Sequence, residues 1–179
     1  MGVGHSEGCI NLLLAVEKNP EIFSNIILVA PAGLTGPDGF FYIIGRFLKS
    51  IKESDEKNLY YNEKSQRVIT TIKETSKYLV KNPTKSFGEV YEISQSDTVE
   101  LLKKIHDMGV GISIIHGTED GVFSMEKMQN IVSAGIVDGF YSVSGDHNEI
   151  FVSPDKYAKL TIKAGEDLEK RKKDEYKKV

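Results

Sequence analysis

The chain has 179 residues, a formal net charge of −3 and a pI near 5.9. Hydrophobic residues make up 40% of it and charged residues 27%, which is the balance of a globular domain and not of a disordered chain. This charge gives no electrostatic reason to expect a nucleic-acid partner, and no apolar run approaches the ~18 residues that cross a bilayer. With one cysteine and no basic, apolar leader, we expect a cytoplasmic protein without disulfides, metal or membrane contact.

The first predicted elements are a helix and a buried strand. Residues 10–18 place leucine and valine side chains on one side at helical spacing. Pro20 ends this helix, because the residue before a proline is pushed out of the α region. The wholly apolar run 26–30 follows and is closed by Pro31 and Gly33, as is typical of a buried strand in a parallel sheet.

The pattern changes in the middle of the chain. From about residue 34 to residue 97 the sequence reads as helical segments separated by polar breaks, without a strand of the parallel-sheet type. A segment of about 60 residues is too long for an ordinary loop. We therefore predict a helical cap insertion over residues 35–97, and a core domain made of residues 1–34 and 98–179.

Helix and strand alternate again after the insertion. The predicted order is helix, strand, helix, strand, helix, over the segments SDTVELLKKIHDMG, VGISIIHG, SMEKMQNIVSAG, GFYSVSG and the C-terminal segment opened by Ser153-Pro154. Such alternation argues for right-handed crossovers and a parallel sheet. The predicted fold class is therefore α/β, with about four parallel strands.

A candidate nucleophile stands almost at the start of the chain. The segment GHSEG, residues 4–8, has a serine at its centre and a glycine two residues away on each side. Between a strand and a helix this motif holds the serine on a sharp, strained turn, and Gly4 and Gly8 are needed where backbones come close together. The backbone N–H of Glu7 is then placed to donate an oxyanion hydrogen bond; we assign its carboxylate no role. Alone, so short a motif is weak evidence.

Two later segments supply a base and an acid for Ser6. A serine hydroxyl becomes a good nucleophile when a base takes its proton, and that base must be oriented by an acceptor. Asp120 follows the end of a buried strand, where open α/β sheets place reactive groups, and His147 lies in the loop before the last helix. The order serine, aspartate, histidine is that of one large class of hydrolases. Glu119 and Asp146 remain alternative acids.

Other noteworthy side chains have simpler structural interpretations. We expect His5 to pack beside the turn, His106 to place a favourable charge near a helix C-terminus, and His116 to be buried at a strand end. Cys9 is expected to be a small core residue. Three aromatic residues near the start of the insertion either line a substrate pocket or pack between insertion and core: Phe40, Phe41 and Phe47.

With these segments in place, the chain resembles the α/β-hydrolase fold family, in its branch of lidded serine esterases and carbon–carbon-bond hydrolases. The resemblance rests on GHSEG, NIILVAPAG, IHGTEDGVFS and GDHNEIF, and it covers nearly the whole chain. It implies that Ser6 is the nucleophile, that His147 is the general base and then acid, and that Asp120 orients His147. It also implies cleavage of an ester, thioester or related acyl bond through an acyl-enzyme without a cofactor, with a diketone-like substrate as the carbon–carbon variant.

The N-terminal part of the family fold has no counterpart in this sequence. The family carries further strands ahead of the nucleophile strand, and a loop that usually brings the second oxyanion donor. Losing one such donor costs about 2.7–4 kcal/mol of transition-state stabilisation in a comparable site. We therefore expect the C-terminal part of a longer hydrolase, with Met1 as an internal or misassigned start and the nucleophile strand at an open edge.

This expectation has an alternative in another functional class. The chain is then a non-catalytic, truncated relative, or half of a split hydrolase that acts as a binding module. Its partner is a missing N-terminal half or another chain that pairs with the edge strand. The order of the three candidate residues favours the enzyme, whereas the missing N-terminal part of the family fold favours the binding module.

Overall fold

A computed structural model describes residues 1–34 and 81–177, together with the single positions 42, 45, 46, 49, 70, 74, 77 and 78. Within these residues the centre is a sheet of four parallel strands in the order β1-β2-β3-β4. The strands are β1 Gly2–His5, β2 Asn25–Val29, β3 Gly111–Gly117 and β4 Gly139–Val143. The predicted α/β fold class with its parallel sheet is confirmed.

Helices connect the strands. They are α1 Glu7–Lys18, the 3-10 helix Pro20–Ile22, α2 Pro83–Gln95, α3 Val99–Asp107, α4 Met125–Ser133, α5 Glu149–Val152 and α6 Pro154–Tyr176. The first helix begins earlier than the sequence pattern indicated, directly after Ser6. The short helix α5 was not predicted, because four residues are too few to show a helical period. Most of the predicted insertion, residues 35–97, lies outside the described residues, so its domain bounds stay a prediction.

The core lies on both faces of the sheet, because every residue of β2 and β3 is buried. On one face, helices α1, α3 and α4 pack on the sheet through residues such as Leu13, Ile105 and Met128. On the other face, α6 packs through Tyr157 and Ala164. Burial on both faces explains why these strands read as continuous apolar runs without alternation.

Strand β1 forms one edge of the described sheet. It pairs with β2, and no other strand in the described part of the chain pairs with it. Val3 on this strand is 51% exposed, and Met1 directly before it is 61% exposed. An edge of this kind presents backbone N–H and C=O groups that can pair with another strand.

Asp138 directly precedes β4 and connects several elements near the N-terminal ends of β3 and β4. Its Oδ2 accepts the N–H of Ile112 at 2.8 Å, and its own N–H donates to the carbonyl of Ile112 at 2.7 Å. Arg171 of α6 lies 3.0 Å from its Oδ1, and His106 in the last turn of α3 lies 3.5 Å from the same oxygen. One carboxylate, 10% exposed, therefore joins β3, α3 and α6.

We predict that Asp138→Ala lowers the free energy of unfolding by about 1–3 kcal/mol, because it leaves the buried Ile112 N–H without its side-chain acceptor. Urea unfolding followed by circular dichroism measures this loss. The matched control is Asp174→Ala, since Asp174 is 54% exposed and 3.8 Å from Lys177; we expect a change within about 0.5 kcal/mol. Equal losses in the two variants would contradict the role given to Asp138.

Candidate active site

Ser6 lies on a strained turn between β1 and α1. Its backbone has φ 51° and ψ −123°, a conformation that residues with a side chain rarely adopt. Its N–H donates to the carbonyl of Val29 at 3.0 Å. Its own carbonyl accepts the N–H groups of Cys9 at 3.0 Å and Ala32 at 3.2 Å. Contacts with α1, with β2 and with the segment after β2 therefore hold the strained conformation.

The two glycines of the motif differ in the space around them. A Cβ atom on Gly4 would lie 2.8 Å from the carbonyl oxygen of Gly8 and 2.9 Å from the Cα of Cys9, whereas one on Gly8 would meet no described atom within 4 Å. The close approach predicted for Gly4 is confirmed. For Gly8 the prediction is wrong, because its carbonyl, and not its Cα hydrogens, faces the strand.

The side chains of Ser6, His147 and Asp120 form one hydrogen-bonded chain. Ser6 Oγ lies 3.1 Å from His147 Nε2, and His147 Nδ1 lies 2.9 Å from Asp120 Oδ2. His147 is 5% exposed and Asp120 is 7% exposed. The three residues follow β1, β4 and β3 respectively, so parallel strands bring them to the same edge of the sheet. The structure thus brings together the three residues that the sequence singled out.

The alternative acids occupy other positions. Nδ1 of His147 is taken by Asp120. Asp146 accepts the N–H of Asn148 at 2.8 Å, and Glu119 is exposed after the end of β3. Of the three acids, Asp120 is therefore the one that is hydrogen-bonded to His147.

Asp120 is held in its ionised form. Burial raises its pKa, but the hydrogen bond and the charge of His147 lower it, and so does the N–H of Phe123, so that the net shift of the Asp120 pKa is downward. Its Oδ1 accepts the N–H groups of Val122 at 2.8 Å and Phe123 at 3.0 Å. An ionised carboxylate can only accept hydrogen bonds, so Nδ1 of His147 carries the proton. Nε2 is then free to accept the Ser6 hydroxyl proton.

Glu7 is the first residue of α1, next to Ser6. The first-turn N–H groups of a helix have no carbonyl partner within the helix, and the positive end of the helix dipole lies there. The role of the Glu7 N–H as an oxyanion donor stays a prediction. Burial raises the pKa of the Glu7 carboxyl, the charge of Glu89 raises it further, and that of Lys85 lowers it. Both belong to α2, so this helix lies within electrostatic range of Glu7.

Two further histidines adjoin this chain of hydrogen bonds. His116 is fully buried at the end of β3, as predicted, and its Nε2 lies 2.9 Å from the carbonyl of Phe123. Burial lowers the pKa of His116, so the ring is neutral at pH 7 and Nε2 carries the proton that it donates. His5, for which we expected packing beside the turn, contacts the ring of His147, with the two centroids 5.4 Å apart.

The remaining sequence predictions concern residues of the insertion and two other features, a metal site and a membrane-spanning helix. The aromatic residues proposed for a pocket, Phe40, Phe41 and Phe47, lie outside the described residues. Within the described residues, no cluster of three or more histidine, cysteine, aspartate or glutamate side chains is arranged for a metal ion. No helix in that part of the chain is both long enough and apolar enough to cross a membrane.

The geometry has counterparts among solved structures. One is a carboxylesterase structure from the thaumarchaeon Nitrososphaera gargenis, with a TM-score of 0.65 at 14% identity over 94% of this chain. Another is a meta-cleavage product hydrolase from Pseudomonas fluorescens, with a TM-score of 0.59 at 14% identity over 92% of this chain. A third is an α/β hydrolase enzyme from a deep-sea metagenome, with a TM-score of 0.55 at 15% identity over 90% of this chain.

The chain has the α/β-hydrolase fold. It spans 65%, 64% and 63% of the lengths of these three proteins. Neither a protein-family model nor a curated protein matches the sequence. Identities this low establish the α/β-hydrolase fold and leave the reaction to be argued from the residues themselves.

We predict that alanine substitutions at the two glycines of the Ser6 motif change the stability of the protein in different ways. Gly4→Ala should destabilise the protein by about 1–3 kcal/mol or more, because the added methyl group meets backbone atoms of α1 that have no room to move. Gly8→Ala should be neutral or stabilising by up to about 1 kcal/mol, because Gly8 lies in a helix and the added methyl group would meet no described atom within 4 Å. Thermal or urea unfolding of both variants measures the difference, and a larger loss for Gly8→Ala would contradict this description of the turn.

Proposed function

We propose that the protein is a serine hydrolase that cleaves an ester, thioester or related acyl bond through an acyl-enzyme. The observation that carries the proposal is the hydrogen-bonded chain from Ser6 Oγ through His147 to Asp120, on a strained turn at the start of a helix. Such an arrangement gives a weak nucleophile a base, and gives the base an orienting acceptor. The esterases and hydrolases that share the fold support the same class of reaction.

In the proposed reaction, His147 Nε2 takes the Ser6 proton as Oγ bonds to the substrate carbonyl carbon. The electron pair of the C=O bond moves to the oxygen, where the N–H of Glu7 donates a hydrogen bond to the oxyanion. The bond to the leaving alcohol or thiol then breaks, and that group takes the proton from His147. Water repeats the sequence on the acyl-enzyme, and Asp120 stabilises the His147 cation each time it forms.

We further propose that the segment 35–97 acts as a cap over this site. Support comes from α2, whose Lys85 and Glu89 interact electrostatically with Glu7 beside the nucleophile. Tyr78, at a single described position before α2, donates a hydrogen bond to Glu89 at 3.0 Å. Cleavage of a carbon–carbon bond in a diketone-like compound is the variant on the same residues. Parallel screens with aryl esters and with such diketones would separate the two.

We predict that a fluorophosphonate probe labels the folded protein at Ser6, because the probe reports a serine that a neighbouring base has activated. Ser6→Ala should abolish labelling. Asp120→Asn should slow it by about 10⁴-fold, since an amide in place of the carboxylate favours the wrong tautomer of His147. Intact mass and peptide mapping identify the labelled residue, and Ser133→Ala, an exposed serine on α4, is the control that keeps labelling. Labelling that persists in Ser6→Ala contradicts the proposal.

We also propose a second role, in which the edge of β1 binds a further β-strand. Support comes from the exposed Val3 on a strand that, within the described residues, pairs on one side, and from the exposed Met1 directly before this strand. About one third of the length of each of two solved structures that share the fold also lies outside the matched part. The occupant that fits this edge is a strand from another polypeptide segment, which makes the chain one part of a larger hydrolase.

An edge strand can pair with any strand that is available. In a solution that contains this chain alone, that strand belongs to a second copy of the chain. We therefore expect concentration-dependent association in sedimentation velocity. Val3→Lys should weaken it by about tenfold, or about 1.4 kcal/mol, because a charged edge residue opposes strand addition. Ile22→Lys, which changes a 66% exposed residue on the 3-10 helix, is the control. Equal weakening by both variants would contradict pairing through β1.

A further inference from the structure

The loop that carries His147 runs over residues 144–148, between β4 and α5, and lies against Gly117, the last residue of β3. A Cβ atom on Gly117 would lie 2.5 Å from the carbonyl oxygen of Gly145 and 3.2 Å from that of Asp146. Real Cβ atoms essentially never come within 3.0 Å of another heavy atom. The backbone that leads into His147 therefore occupies the space that a side chain at position 117 would need.

Hydrogen bonds fix the same approach. The N–H of Thr118 donates to the carbonyl of Val143, the last residue of β4, at 2.8 Å. The N–H of Glu119 donates to the carbonyl of Gly145 at 3.0 Å. The first bond ends on the sheet and the second on the loop. The segment between β3 and Asp120 is thus joined to the loop that carries His147, backbone to backbone.

The loop also packs on the helix that follows it. A Cβ atom on Gly145, whose φ is 145°, would lie 2.6 Å from the Cβ of Glu149, the first residue of α5. The side chain of Glu149 is held in turn, because its carboxylate accepts the hydroxyl of Ser153 at 2.7 Å. Lys156 of α6 donates to the carbonyl of Ser144. The loop therefore has contacts with α5 and α6 as well as with β3.

Any group added at Gly117 would displace the loop and not the strand. β3 pairs with β2 and with β4, and all of its residues are buried. Lengthening the nearest distance from 2.5 Å to the 3.4 Å of an ordinary contact needs a shift of about 0.9 Å. The hydrogen bonds of His147 measure 2.9 Å to Asp120 and 3.1 Å to Ser6. A shift of that size at His147 takes both beyond the range of about 2.7–3.2 Å.

We infer that Gly117 is a positioning residue: because it has no side chain, the loop lies close enough to β3 for His147 to reach both Asp120 and Ser6. The inference rests on the proposed function. Gly117 acts through the backbone that precedes His147, and takes no part in the chemistry itself. A displacement of about 1 Å at a reacting group can cost about 10²-fold in rate, so this close approach bears directly on turnover.

Two alanine variants on the same segment test the inference. Gly117→Ala should lower kcat for an aryl ester by about 10–100-fold, with KM changed less than about threefold, because the substrate still binds while the base is misplaced. Gly121→Ala is the matched control, since a Cβ atom on Gly121 would meet no described atom within 4 Å; it should keep the parent kcat. Circular dichroism shows that both variants are folded at the assay temperature. A folded Gly117→Ala with the parent kcat would overturn the inference.

Hydrogen exchange at two neighbouring amides separates displacement of the loop from a general loss of stability. In Gly117→Ala, the Glu119 amide should exchange about tenfold faster or more, because its acceptor on the loop has moved. The Thr118 amide should stay close to the parent, because its acceptor is on β4. Equal acceleration at both amides indicates destabilisation alone and contradicts the inference, as does an unchanged Glu119 amide.

A second variant covers the case in which Gly117→Ala does not fold. Replacing the Glu119 amide by a backbone ester removes the N–H that donates to Gly145 and adds no atom. The same loss of kcat with little change in KM is expected, and a parent-like kcat would refute the positioning role. If the parent protein is not labelled at Ser6 while the two amides of Gly117→Ala differ as expected, the proposed function fails and the positioning of the loop by Gly117 stands.

Discussion

The site depends on the parallel register of the four strands. His5 pairs with Val29, Val29 with Ile115, and Ile115 with Tyr141, so all four strands end at the same edge. The loops that follow β1, β3 and β4 consequently open side by side, although they lie more than a hundred residues apart in the chain. The strained turn at Ser6 exists because β2 accepts its N–H through the Val29 carbonyl. Without that pairing, neither the turn nor its distance from His147 is defined.

The electrostatics of the site favour a single position for positive charge. Burial lowers the pKa of His5 and of His116, so both rings are neutral at pH 7. Asp120 is ionised and hydrogen-bonded to His147. A proton taken from Ser6 is therefore best stabilised on His147, between a carboxylate and two neutral rings. The neutral His116 ring uses its donor on the backbone carbonyl of Phe123, and the His5 ring packs against the His147 ring.

The sequence predicted the helices that are long enough to show a clear hydrophobic period and the strands that are completely buried. The apolar runs of β2 and β3 indicated the parallel sheet, and the positions of Asp120 and His147 after strands indicated that they meet Ser6. Features that depend on tertiary proximity were missed. The contact of the His5 ring with the His147 ring joins residues far apart in the chain, and no local pattern shows it. The same holds for Lys85 and Glu89 beside Glu7. The motif suggested that backbone atoms approach both glycines closely. In the structure the Gly8 carbonyl oxygen approaches Gly4, so among the described atoms only Gly4 has no room for a side chain.

The nucleophile strand is also the edge strand, and this links the two proposed roles. β1 contains His5 and ends directly before Ser6, and within the described residues it is held by β2 on one side and by α1. Any motion of β1 therefore changes the Ser6–His147 distance, and it also moves His5 against the His147 ring. A strand added to the free edge would pair with the other set of β1 backbone groups and restrain both residues together. Binding at the edge and chemistry at Ser6 are then coupled through one short strand, because the backbone that would receive the partner is the backbone that positions the nucleophile.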